Sequence, residues 1–145
     1  MTPAQIDLIR TSWTKVEPIA DTAATLFYGR LFELDASTRA LFSHTDLAKQ
    51  GKILMQTLTV VVKSLDKLEQ LVPAVQALGR RHVGYGVRPS DYDTVGAALL
   101  WTLEQGLGAD FDAATRDAWA AAYGVLASVM LEAAESAEAA EETAA

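Results

Sequence analysis

The stretch LEQLVPAVQALGRRHVGYGV, Leu68 to Val87, decides how the chain folds and what it can hold. Its apolar residues Leu68, Leu71, Val75 and Leu78 fall at steps of three and four, the mark of one face of an α-helix. His82 is the next member of that series, so the helix turns its imidazole toward the core. A histidine in the last turn of a helix is ordinarily a cap favoured by the helix dipole. One on the apolar stripe is a candidate ligand. Gly84 and Gly86 follow as stop signals that let the chain turn away.

The rest of the sequence also has a helical period. Thr2-Pro3-Ala4-Gln5 supplies an N-cap, a first-turn proline and a Gln three residues on. Further helices are predicted near 21–34, 46–65, 68–82, 90–107 and 112–134, with a short turn or helix over 37–42. The β-branched run Thr57–Val62 could pass for a strand, but it lies inside a longer 3.6-residue pattern. In the second helix Ala24, Phe27, Leu31 and Leu34 define the inner face, with Tyr28 on its edge. The stripe Leu47, Leu54, Leu58, Val61 and Leu65 is completed by Gln50, and Val95, Leu99 and Leu103 have Tyr92 one turn ahead. Tyr28, Gln50, His82 and Tyr92 are therefore all expected to project inward. A buried polar group without a partner costs roughly 1–3 kcal/mol, so four of them should bond one another or line a cavity.

Composition narrows the classes. A chain of 145 residues, half of them hydrophobic, builds one domain with a real core. A net charge of −7 argues against a general nucleic-acid binder. The absence of cysteine rules out disulfides, thiolate metal sites and a cysteine nucleophile, and fits a cytoplasmic setting. No stretch reaches the ~18–20 apolar residues of a membrane span, and MTPAQIDLIR has no secretory pattern. Residues 137–145, rich in Ala and Glu, are expected to be a disordered tail on a domain of residues 1–136.

Most catalytic motifs are missing. The GYG of Gly84–Gly86 lacks the third glycine and the preceding strand of a dinucleotide fingerprint. There is no nucleophile elbow and no zinc-binding His-Glu-x-x-His. Two histidines without cysteine cannot build a common structural zinc site. A single inward imidazole is still enough for heme iron, which needs one axial nitrogen from the protein.

Several short motifs, in this order and spacing, carry a family likeness: LFYGRLF (Leu26–Phe32), ALF (Ala40–Phe42), QGKILMQ (Gln50–Gln56), LGRRHVGYGV (Leu78–Val87) and AWAAAYGVLASVM (Ala118–Met130). Together they resemble a bacterial single-domain globin, close to the heme domain of flavohemoglobins, over about Ile6–Ala134. The resemblance implies an all-α globin fold of six to eight helices around a pocket for heme b, iron protoporphyrin IX. It implies His82 as the metal ligand, Phe42 packed on the porphyrin, and Tyr28 and Gln50 as the pair acting on the bound gas. Leu54 would limit access to the iron, Tyr92 would lie near the proximal histidine, and Arg81 would contact the propionates.

The sequence departs from the flavohemoglobin pattern at one proximal position. The family's late-helix glutamate, which bonds the counterpart of Tyr92, aligns here with Ala134 or Ser136, and Glu132 and Glu135 are off register. His44 does not match the distal position and reads as a surface residue. The family's flavin and nicotinamide module is not in this sequence, so turnover would need an external electron donor or reductase. The expected activity is tight reversible binding of O2, as in oxygen transport, with NO and CO as further ligands and nitric oxide dioxygenation as the candidate detoxifying reaction. The expected assembly is a monomer or weak homodimer without nucleic acid. The alternatives are a heme-based gas sensor, with the tail as part of a coupling element, and a heme-free globin-fold interaction domain.

Overall fold

A computed structural model describes the backbone of residues 1–144 and the side chains of residues 1–136. Six α-helices follow one another: α1 (Pro3–Val16), α2 (Ala20–Leu34), α3 (Leu47–Lys63), α4 (Leu68–Gly84), α5 (Pro89–Leu107) and α6 (Ala113–Ala144). A 3-10 segment, Ala36–Phe42, joins α2 to the loop before α3. The expected all-α architecture is thus observed, and no strand occurs among the described residues. The expectation of a disordered tail over 137–145 falls on residues outside the full description.

Local chemistry explains the helix ends. Thr2 accepts from the Gln5 backbone N–H while the Gln5 side chain accepts from the Thr2 N–H, a reciprocal cap on α1. Asp46 caps α3 by accepting from the backbone of Ala48 and Lys49. The β-branched run Thr57–Val62 lies within α3, and the Thr57 and Thr59 hydroxyls donate back to the carbonyls of Ile53 and Met55, each at 2.9 Å. Both hydroxyls are thus satisfied within the helix itself.

The core is built where α1, α2, α5 and α6 meet, around Ile9, Phe27, Leu31, Leu103 and Trp119, all nearly sealed from solvent. Trp119 donates from Nε1 to the buried Ser12 hydroxyl at 2.9 Å, and Trp13 donates to Thr59 at 3.1 Å. Both indoles therefore bury large apolar area without stranding an N–H. One expectation fails. Leu34, assigned to the inner face of α2, is 43% exposed. It is the last residue of that helix, and the extended Asp35 turns the chain away before its side chain can reach the core.

How the helices pair sets up the site. α2 packs on α3 and α5, while α4 packs chiefly on α6. α3 and α4 are consecutive but do not pack extensively on each other. Much of their apolar stripes is accordingly half-buried, at Leu47, Leu54, Leu58 and Val61 on α3 and at Leu71 and Leu78 on α4, while Val75 is buried. Gln50 and His82 lie on these partly covered stripes.

Candidate functional site

His82 lies in the last turn of α4, half-buried. Its Nδ1 lies 2.7 Å from the carbonyl of Leu78, one turn back. A carbonyl can only accept, so Nδ1 carries the proton, and in the neutral ring Nε2 keeps a bare lone pair. Burial is the largest influence holding the imidazole below its ordinary 6.5; the nearby Arg81 charge acts in the same direction, and the bond to Leu78 opposes it. A neutral, oriented imidazole with one free nitrogen is the form that ligates a metal.

α4 is placed by a backbone contact. A Cβ on Gly79 would lie 2.4 Å from the carbonyl oxygen of Met130, so the two helices touch main chain to main chain one turn before His82. Beyond His82 the chain turns at Gly86, whose φ of +85° suits glycine, and the Val87 N–H donates back to the His82 carbonyl at 3.1 Å. Tyr92, on α5, brings its ring centroid to 6.5 Å from that of His82. Tyr123 donates to the Tyr92 carbonyl at 2.6 Å and fixes this part of α5 against α6. The Tyr92 hydroxyl is buried and has no hydrogen-bond partner among the described residues. Glu132 and Glu135 are exposed.

The opposite side is an aromatic cluster. Tyr28 on α2 is 6% exposed, with Phe27 edge-on at 5.1 Å and Phe42 edge-on at 5.3 Å. Burial pushes its hydroxyl up to about 12, so it remains an O–H donor at any ordinary pH. Gln50, half-buried, precedes Gly51, where a Cβ would come within 2.9 Å of Ala24 and 3.9 Å of the Tyr28 ring. The missing side chain at Gly51 lets α3 approach α2 closely beside Tyr28. Leu54, one turn further along α3, packs against the core cluster.

Of the sequence candidates, Tyr28 and Phe42 are in contact, Gln50 and Leu54 lie on the neighbouring helix, and His82 and Tyr92 form a second group on α4 and α5. Arg81 is exposed and has no ion pair among the described residues. His44 is exposed, as expected.

Sequence reasoning missed a clamp between the two sides. Asp91, 2% exposed, accepts from the Arg88 backbone N–H at 2.8 Å and from the Arg88 guanidinium at 3.0 and 3.4 Å. The same guanidinium reaches Ser37 at 2.9 Å and Asp35 at 3.3 Å, at the head of the segment that ends in Phe42. Pro89 and Asp91 could be read as a helix start, but no local pattern encodes the reach to residues 35 and 37.

The donor set suits a heme: one oriented imidazole nitrogen on α4, and an aromatic cluster on α2 and the segment after it that contains a protonated phenol. The globin family model matches residues 25–130. The chain is 30% identical to the flavohemoprotein of Bacillus subtilis strain 168 over 131 residues, which is 87% of this chain and 32% of that protein. It is 27% identical to the flavohemoprotein of Vibrio cholerae serotype O1 over 134 residues, 91% of this chain and 34% of that protein. It therefore spans about a third of the length of these two relatives. A neuroglobin from Tetraodon nigroviridis is 31% identical over 137 residues, 86% of each chain. The match of the family model to most of the chain, and of the neuroglobin nearly end to end, shows that this chain belongs to the globin family.

Proposed function

We propose that residues 1–136 form a heme-b globin domain that binds dioxygen reversibly and tightly, and that it oxidises nitric oxide to nitrate when an external donor supplies electrons. The observation that carries this reading is the state of His82: Nδ1–H is held by the Leu78 carbonyl, which leaves Nε2 as the ring nitrogen with a lone pair to give. The family, and the heme in the name of the two flavohemoproteins, support it. When bound, heme supplies an iron that takes a diatomic gas on one face.

The chain's own residues divide the remaining work. His82 would hold the iron, and Phe42 would pack against the porphyrin. Leu54 and Leu58 keep the gas side dry, which strengthens every hydrogen bond made there. Tyr28 donates its O–H toward the partial negative charge that dioxygen acquires, while Gln50 offers an amide donor beside it. Carbon monoxide develops less charge and gains less from these donors. Arg81 is exposed, so any role at the propionates is at the rim of the site.

The proximal side supports oxygen holding over peroxidase-like activation. Among the described residues the family's late-helix carboxylate has no counterpart on Tyr92, so the imidazole is polarised by the neutral Leu78 carbonyl and by no carboxylate. Stopped-flow oxygen release from the heme-loaded ferrous chain tests the reading. Tyr28→Phe removes a charge-assisted bond of about 1.5–3 kcal/mol and should speed release about tenfold to a hundredfold. Gln50→Leu should have the smaller effect. Unchanged release in Tyr28→Phe would mean that this hydroxyl does not face the gas.

A further inference from the structure

We propose that the cavity behind Phe42 is a second binding site, one for a small aromatic carboxylate, separate from the proposed heme site. The cavity measures about 530 Å³ and is broadly open to solvent. Phe32, Arg39, Ala40, Phe42, Ser43 and Leu47 are among the residues that line it. Of the residues assigned to the heme site only Phe42 contributes to it; Tyr28, Gln50, Leu54, Arg81, His82 and Tyr92 do not.

Three observations point to the ligand class. First, the floor is aromatic: Phe32 and Phe42 meet edge to face with centroids 5.9 Å apart, a surface on which a third ring packs well. Second, the connection after Phe42 is Ser43, His44, Thr45 and Asp46, all polar and exposed, so it offers no apolar side chain to fill the space. Third, the Arg39 guanidinium lies over the Phe32 ring at 4.8 Å and makes no ion pair or hydrogen bond among the described residues. In a chain of net charge −7, which repels anions at long range, a ring-anchored guanidinium without a carboxylate partner is a local anion fork. A ring on Phe32 and Phe42 with its carboxylate on Arg39 satisfies both features at once.

Occupancy would reach the gas site through one side chain. Phe42 forms part of the cavity and also touches Tyr28 edge-on at 5.3 Å. A ligand that holds Phe42 therefore restrains the wall behind the Tyr28 hydroxyl. That consequence rests on the heme reading, but the binding itself does not.

The test is calorimetric titration of 3-phenylpropionate and its neutral amide, 3-phenylpropionamide, into the full chain before and after heme loading. The carboxylate should bind about tenfold tighter than the amide in both forms of the protein. Arg39→Gln, at an exposed position that leaves the fold intact, should make the two probes equal. Ala40→Leu, which narrows the cavity, should weaken both. Equal affinities in the unmodified chain, a preference that survives Arg39→Gln, no saturation by about 10 mM, or binding abolished by heme would each overturn the proposal. The last result would place the probe in the heme site. A chain that takes up no heme but still prefers the carboxylate would overturn the heme reading and leave this site standing.

Discussion

Replacing Gly79 with Ala tests how α4, and with it His82, is positioned. The added Cβ would lie 2.4 Å from the Met130 oxygen, 2.7 Å from its Cα and 2.9 Å from its carbonyl carbon. Ordinary contact begins at 3.4 Å, so the helices must part by about 1 Å, and the obstacle is backbone that cannot rotate aside. Overpacking of this kind costs about 1–3 kcal/mol. Alanine regains about 1 kcal/mol of helix propensity over glycine, leaving a net loss of about 0–2 kcal/mol. Gly124 is the matched control: it lies within α6, is exposed, and has nothing within 4 Å of a built Cβ. Gly124→Ala should keep the whole propensity gain and stabilise by about 0.5–1 kcal/mol. Urea unfolding of the two variants, with slopes compared to exclude changes in the unfolded state, measures the difference. If Gly79→Ala gains as much stability as Gly124→Ala, the main-chain contact does not set the position of α4.

Two further outcomes concern the clamp and the proximal histidine. Arg88→Ala should lower the midpoint of chemical denaturation, because the buried Asp91 loses its guanidinium partner; Arg88→Lys should recover some of the loss, and an Arg88→Ala variant as stable as the parent would refute the clamp. His82 governs an acid limb of stability in the chain without added cofactor. Its folded-state affinity for a proton is depressed below the ordinary 6.5, so stability is full above that value, falls as pH drops from about 6.5 through the lower folded value, and then levels. His82→Gln should remove that slope, and an identical pH profile in the variant would contradict the burial of the imidazole.

The sequence carried most of what depends on short-range pattern. The series from Leu68 to His82 placed the histidine, and the Thr2–Gln5 cap placed the start of α1, because both are written in residues within one or two helical turns. Tyr28 and Tyr92 were assigned inward and are buried, since a helical face continues through its edge positions. Contacts between distant segments were not legible. Gly79 reads as an ordinary helical glycine until Met130 is found against it, and Gly51 likewise until Ala24 and Tyr28 are in place. The Arg88 clamp joins residues more than fifty positions apart, which no local period can announce. Leu34 fails for the converse reason: periodicity continues one residue past the point at which Asp35 turns the chain away.

Heme titration of the unmodified chain and of His82→Ala, followed by visible absorption, tests the central claim most directly. The unmodified chain should take up one heme with a sharp Soret band. His82→Ala should bind at least about tenfold more weakly and give a different spectrum, because losing the ligand itself should cost no less than losing an outer-shell partner. No Soret band in the unmodified chain, or full heme affinity with an unchanged spectrum in His82→Ala, would contradict the account.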